Sequence, residues 1–334
     1  MMLKLIFGRL LQGLVVLLVV SALTFALLAA AGGDALTALA SDPLVSEQAI
    51  REMRHTYGLD EPVHVRYARW LGDAARARLG QSFFYHAPVG QIIGSRLLNT
   101  LTLAVCALLF AWAIAFSLGA LAARRAAGSW ADHLCSAVIL LASSTPRIVL
   151  ALLALALAVR TSLFNVSGPE VAGQSAGQAV ARVVVPALVL SVPLVALFLA
   201  QVREGLGAAL RAEFVQVARA KGLRERTVIF RHALRSALNP LITIFGYSLG
   251  GLVSGSVIVE TVLGWPGLGQ LSVVAVRNRD VPLLMGVVMV TAGAVLLGNL
   301  LADILLHLND PRLRRAGEAA TVKRADGTAQ MTAR

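Results

Sequence analysis

Charge is scarce in this sequence. Only 14% of the residues are Asp, Glu, Lys or Arg, too few to clothe a soluble domain of this length. Lysine is scarcer still: Lys4, Lys221 and Lys323 are the only ones. None follows a glycine-rich phosphate loop and no GxxxxGK[ST] occurs, which excludes a P-loop nucleotide site in this chain. The two cysteines, Cys106 and Cys135, stand alone without CxxC spacing or a histidine cluster. That excludes a disulfide framework and a cysteine metal site, and leaves them as small packing residues. HExxH, GxSxG and paired intramembrane aspartates are also missing, so hydrolysis within a membrane has no candidate nucleophile or metal centre.

Apolar residues are plentiful instead, at 57% with a mean hydropathy of +0.75. Such a composition belongs to an all-α polytopic membrane protein, and six apolar runs are expected to span the bilayer. They are Leu10–Ala31, Thr100–Ala123, Leu134–Ala158, Val183–Val202, Leu241–Leu263 and Leu283–Leu306. Each covers the roughly 30 Å hydrocarbon layer at about 1.5 Å per residue. The first run has basic residues before it and small residues after it, as a signal peptide does. Its core is longer than a cleaved signal needs, so it reads as a retained helix.

The basic residues set the orientation. Lys4 and Arg9, then Arg124 and Arg125, then every Lys and Arg from Arg203 to Arg235, and those after His307 all fall on one side. That side is expected to be the cytoplasm, with both termini there. A basic inner face beside anionic lipid accounts for much of the +12 net charge and the pI near 11.0, so no nucleic-acid partner is needed. The chain then divides into an N-terminal helix (1–31), an extracytoplasmic segment (32–99), a five-helix core (100–306) with a cytoplasmic loop (203–240), and a cytoplasmic tail (307–334) that is expected to be polar and disordered after Arg315. In the outer segment, Ser46–Tyr57 and Pro62–Ala77 read as short helices, the first stopped by Gly58 and the second opened by proline. Tyr67, Trp70 and Leu71 share a face of the second, suited to the membrane interface or to a cap over the bundle.

The cytoplasmic loop EFVQVARAKGLRERTVIFRHALRSALNP, from Glu213 to Pro240, is the longest charged run between apolar segments. Phe214, Val217 and Ala218 fall on one face of a first short helix. Gly222 suits a C-terminal cap with positive φ, with Leu223 as its apolar contact. A second helix is expected from about Glu225, and Pro240 marks its end or a kink. By pattern alone, this loop is either a specific docking element or a solvated basic loop that fixes topology.

Within the apolar runs, SSTPR (Ser143–Arg147) places proline in the third span, loosening it while neighbouring hydroxyls satisfy the freed carbonyls. Arg147 faces a wet cavity or a partner, or snorkels to the interface. The fifth span carries GYSLGGLVSGS, Gly246–Ser256, whose small residues should meet another helix rather than lipid. VIVETVLGWPGLGQL follows, with Glu260 at membrane depth before a turn made by Gly264, Trp265, Pro266, Gly267 and Gly269. Glu260 is either hydrogen-bonded within the bundle or in contact with a transported solute, and Asp303 invites the same question.

These pieces, in this order, resemble a known family. GRLLQ near the start, YGLDEP, YARWL and LGQSF in the outer segment, ARAKGL and RHALRSALNP in the loop, ETVLGWPGLG after the fifth span and NDPRLR near the end are similar to permease subunits of binding-protein-dependent ABC importers for dipeptides, oligopeptides and nickel. The chain departs from that pattern at GGDAL, where Pro-Gly-Asp-Pro is common, and in a Gly, Gln and Ala-rich insert at 167–181. In the general importer loop pattern, Glu-Ala-Ala is represented here by Gln216, Val217 and Ala218.

The resemblance implies a type I ABC importer transmembrane domain with no catalytic residues, forming half of a translocation pathway for peptides in the bacterial inner membrane. It implies a second homologous permease, two ATPase subunits that use ATP and Mg, and an extracytoplasmic solute-binding protein. Glu213, Phe214, Val217, Ala218, Arg219, Ala220, Lys221, Gly222, Leu223 and Arg224 become the candidate coupling element. Arg147, Ser254 and Glu260 become candidates for the pathway, and Trp265, Pro266, Gly267 and Gly269 form the outer turn. Nickel or another small solute carried by the same machinery is the alternative. An ATPase-independent carrier, or a membrane scaffold, stands as a different class; a carrier should show an internal repeat and several midplane charges.

Overall fold

The computed structural model describes residues 2–32, 46–56, 58, 60–123, 125, 128–161 and 176–309. Among them the chain is helical, with one isolated β-bridge between Gln81 and Pro88. The GGDAL sequence beyond Gly32, Arg124, most of the 167–181 insert, and NDPRLR with the tail beyond Asn309 lie outside the described residues.

Five single helices are long and apolar enough to cross a membrane, and a bent pair brings the total to as many as six. They are α1 (Met2–Ala30), α4 (Val89–Ala123), α7 (Ala176–Arg211), α10 (Leu234–Gly255, continued across a break by α11, Val257–Val262) and α13 (Val281–Asn309). The expected straight crossing at Leu134–Ala158 is two helices, α5 (Trp130–Ser144) and α6 (Arg147–Thr161), which meet at 94°. Pro146 has no N–H to offer α5. Ser143 and Ser144 donate to the Leu140 carbonyl at 3.1 and 2.6 Å, and Thr145 donates to that of Leu141 at 2.7 Å. Those hydroxyls satisfy the end of α5, and the chain turns a corner there where a loosened helix was expected.

The core is built on α4 and α7. Ala104, Ala107, Ala111, Ala115 and Ala122 are buried along one side of α4, and such small side chains let two backbones approach. Trp112 fills the same core between Phe116, Phe198 and Phe245. α10 meets α13 in the same manner. A Cβ on Gly246 would collide with Ala302, one on Gly250 would lie 2.9 Å from Val295, and Gly298 faces Leu249. The small residues of the fifth span therefore do meet a helix. Cys135 is buried between α4 and α5, its thiol directed at the Leu118 carbonyl at 3.5 Å.

Two short helices separate α1 from α4. α2 (Glu47–Thr56) and α3 (Val63–Ala74) fall where the sequence places them. Tyr67 on α3 shares a 2.9 Å hydrogen bond with Ser21 of α1, packs against Phe25 and stacks on Trp70. This aromatic face is turned onto α1. α1 is further joined to α13 by a two-contact ion pair, Arg9 to Asp303 at 2.7 and 3.1 Å. That answers the question of Asp303: it is a clamp between helices.

Candidate functional site

Two places gather the chemistry: the elbow at 213–233 and a buried polar junction beside the GWPGLG turn. The elbow opens with α8 (Glu213–Ala220), bearing an acid in its first turn and Arg219 in its last, the charge order that the helix dipole favours. Gly222 has φ +75° and ends the helix. The Gly222 amide donates to Arg219 O at 2.9 Å and the Leu223 amide to Ala218 O at 3.4 Å, the paired bonds of a Schellman cap. A short helix α9 (Glu225–Thr227) and a π-helical stretch, Val228–Ala233, then run directly into α10. Of the end or kink expected at Pro240, the end does not occur, because α10 continues through it; a π-helical stretch lies just upstream.

The apolar face expected for α8 is divided between two directions. Val215 is fully buried and Ala218 nearly so, packed with Leu206, Leu210, Val228 and Ile229. Phe214 and Val217, one turn apart, stay 46% and 54% exposed. Ala218 thus belongs to the inward face, and Val215, which the pattern passed over, is its anchor. Arg219 binds Glu225 through two contacts at 2.6 and 3.2 Å, so it is occupied within the elbow. That hydrogen bond raises the pKa of the guanidinium above its ordinary value. Lys221 and Arg224 are exposed and make no ion pair among the described residues. Beside the elbow, a cavity of about 1270 Å³ opens between the C-terminal ends of α4 and α7 and the first turns of α5, lined among others by Arg125, Glu204 and Arg211. Its wall is braced by Arg203, which reaches Asp132 and Ser136, both at 2.8 Å.

At the other site, α11 carries Glu260, which is 0% exposed. Its Oε1 accepts from Thr100 of α4 at 2.9 Å and from Ser256 at 2.8 Å. Its Oε2 accepts from the Gln270 amide at 3.1 Å. Gln270 lies in the first turn of α12 (Leu268–Arg277), and the Leu268 amide donates to Thr100 at 2.8 Å. The carboxylate and the threonine together satisfy amides that a helix N-terminus leaves open. Gly267 and Gly269 sit against that carboxylate, where a Cβ on either would overlap it. Trp265 is buried and donates from its indole to the Asn99 carbonyl at 3.2 Å, while Asn99 donates to Pro266 O at 2.8 Å.

Two family models match, one described as binding-protein-dependent transport system inner membrane component over residues 115–315, the other as the N-terminal part of such a component over residues 2–104. The chain belongs to this family. The oligopeptide transport system permease protein of Bacillus subtilis is 34% identical over 312 residues, spanning 92% of this chain and 98% of the relative. A putative peptide permease of Brucella ovis is 35% identical over 94% of this chain and 99% of its own length. The di/tripeptide transport system permease of Pseudomonas aeruginosa is 32% identical over 88% and 94%.

In this inner membrane component, the pathway candidates have different fates. Glu260 is enclosed by its own chain, where its hydrogen bonds tie α4, α11 and α12 together. Arg147 stands at the corner between α5 and α6, half-exposed, and donates to the Gly255 carbonyl at 3.4 Å. Ser254 is exposed on α10, its hydroxyl turned to Gly250 O at 3.2 Å. Asp280 is a residue that pattern reading missed. It is 0% exposed, caps α13 through the Leu283 amide at 3.1 Å, and accepts from Ser82 at 2.6 Å and from the Phe84 amide at 3.1 Å. It fastens the LGQSF loop to the last helix. The signal was present in RDVPLL: an acid directly before a proline-containing helix start.

Proposed function

We propose that this inner membrane component is a non-catalytic half of an ATP-driven peptide importer in the bacterial inner membrane, with both termini in the cytoplasm. A second, homologous permease completes the pathway, two separate ATPase subunits use ATP and Mg, and an extracytoplasmic binding protein delivers the solute. The peptide assignment rests on the names of the relatives; nickel or another small solute would use the same machinery.

The observation that carries the reading is the two-faced elbow. Val215 and Ala218 weld α8 to α7 and to the π stretch that feeds α10, while Phe214 and Val217 are left as a small apolar anchor for a groove on another protein. Lys221 and Arg224 supply positive charge for an acidic rim. A push on α8 is thus transmitted to a helix that crosses the membrane. The adjacent cavity leaves the elbow room to move. Reversing a 1:99 preference between two access states takes about 5.5 kcal/mol, within the reach of ATP binding and hydrolysis.

The test is at Gly222. Its added Cβ would meet nothing within 4 Å, so the penalty of substitution is conformational and amounts to about 1–2 kcal/mol for a residue that resists positive φ. In the complete importer, Gly222→Val should lose solute-stimulated ATPase activity and uptake while still inserting normally, and Gly222→Asn should keep both. Unchanged uptake in Gly222→Val would refute the reading.

A further inference from the structure

We infer that Arg147 is a carboxylate-binding residue of the translocation pathway, receiving the C-terminal carboxylate of the peptide as it passes the corner between α5 and α6. The inference rests on the peptide-importer reading and names the chemical group that this chain recognises.

Two helices break at one level. α5 ends fifteen residues after it begins, about 22 Å along its axis, and Gly255 lies about 22 Å along α10 from Pro240. The Arg147 contact with the Gly255 carbonyl joins the two breaks directly. Both breaks therefore fall inside segments long and apolar enough to cross a membrane, well away from the ends of those segments. Broken backbone inside such a segment is tolerated only where protein encloses it or where it lines a water-filled cavity.

Enclosure is not what surrounds this corner. Ser143, Ser144 and Ser254 are exposed and Arg147 is half-exposed, a polar group where lipid-facing residues of the same helices are Leu, Ile and Val. These hydroxyls donate to carbonyls of their own helices, which leaves their oxygens able to accept from the N–H groups of a passing peptide. Arg147 does not snorkel, because its guanidinium is turned against α10 and a Cβ on Gly255 would overlap it. One carbonyl is its single polar partner, and among the described residues no carboxylate pairs with it. A guanidinium carries five donors in a planar fork suited to a carboxylate. An arginine held at membrane depth with one neutral acceptor needs an anion to complete its shell, and a peptide brings one at its C-terminus.

Two measurements on the complete importer test this. Arg147→Cys, in a background of Cys106→Ala and Cys135→Ala, is exposed in reconstituted vesicles to a membrane-impermeant cationic thiol reagent. Labelling is expected; a residue that snorkels into lipid or is sealed in protein would not label, and that result would overturn the inference. Uptake is then compared for a tripeptide and its C-terminal amide, a pair that both enter through the wild-type importer. Each variant rate is divided by the wild-type rate for the same peptide, which cancels the preference of the binding protein. Loss of a charge-assisted hydrogen bond is worth about tenfold or more, so Arg147→Gln should lower uptake of the free acid about tenfold and that of the amide less than twofold. Arg147→Lys should restore part of the free-acid rate. Equal falls for both peptides, or no fall for either, would overturn the inference. If the wild-type importer carries no peptide of any kind, the peptide reading itself fails, whatever the labelling shows.

Discussion

Replacing Glu260 tests whether this acid is a structural tie or a contact for solute. The side chain accepts three hydrogen bonds, from Thr100, Ser256 and the Gln270 amide, and has no exposed surface. In Glu260→Ala the Gln270 amide loses its acceptor, and a buried unsatisfied donor costs about 1–3 kcal/mol. Ser256 is less affected, because its hydroxyl also lies 3.3 Å from the Val253 carbonyl. The missing side-chain atoms leave a cavity, which brings the expected loss to about 3–5 kcal/mol. At about 2–4 °C per kcal/mol, the purified component in detergent should unfold roughly 6–20 °C below wild type, as followed by tryptophan fluorescence. Glu260→Gln keeps the volume and one acceptor but loses the charge, so a smaller loss of about 1–2 kcal/mol is expected. Thermal unfolding of Glu260→Ala within 2 °C of wild type would refute the structural role. Abolished uptake in Glu260→Gln at unchanged stability would show that the acid acts on the solute.

The helix crossings allow a matched comparison. Gly246→Leu should destabilise strongly, because even a Cβ there collides with Ala302, whereas Gly251→Leu should leave the unfolding temperature nearly unchanged, because its Cβ meets nothing within 4 Å; similar losses for the two would refute the assigned packing. A double-mutant cycle of Arg9→Ala and Asp303→Ala should return a coupling of about 1 kcal/mol or less, since the arginine is about half exposed. A coupling of several kcal/mol would mean that the pair is far better shielded in the membrane than this chain alone shows.

Composition and periodicity determined a good deal of this protein by themselves. Runs of about 20 apolar residues have few fates other than crossing a bilayer, so the spanning segments are legible without coordinates. Gly222 is legible too, because a helix of eight residues needs a terminator and glycine adopts the required φ at little cost. The stretch of small residues from Gly246 announced a helix crossing for the same kind of local reason, since only such residues let backbones approach.

What only the tertiary structure decided is direction and partnership. The pattern put Val217 on the apolar face and passed over Val215, yet Val215 is the anchor and Val217 is presented outward, because α8 is too short for its periodicity to say which side meets α7. SSTPR announced a weakened helix and not a corner of 94°, since the angle depends on what the freed segment packs against. Glu260 and Asp280 bind amides and hydroxyls far away in sequence, Thr100 and Ser82 among them. A spacing rule reaches only a few residues along one helix, whereas these carboxylates find their partners through the way separate helices are brought side by side.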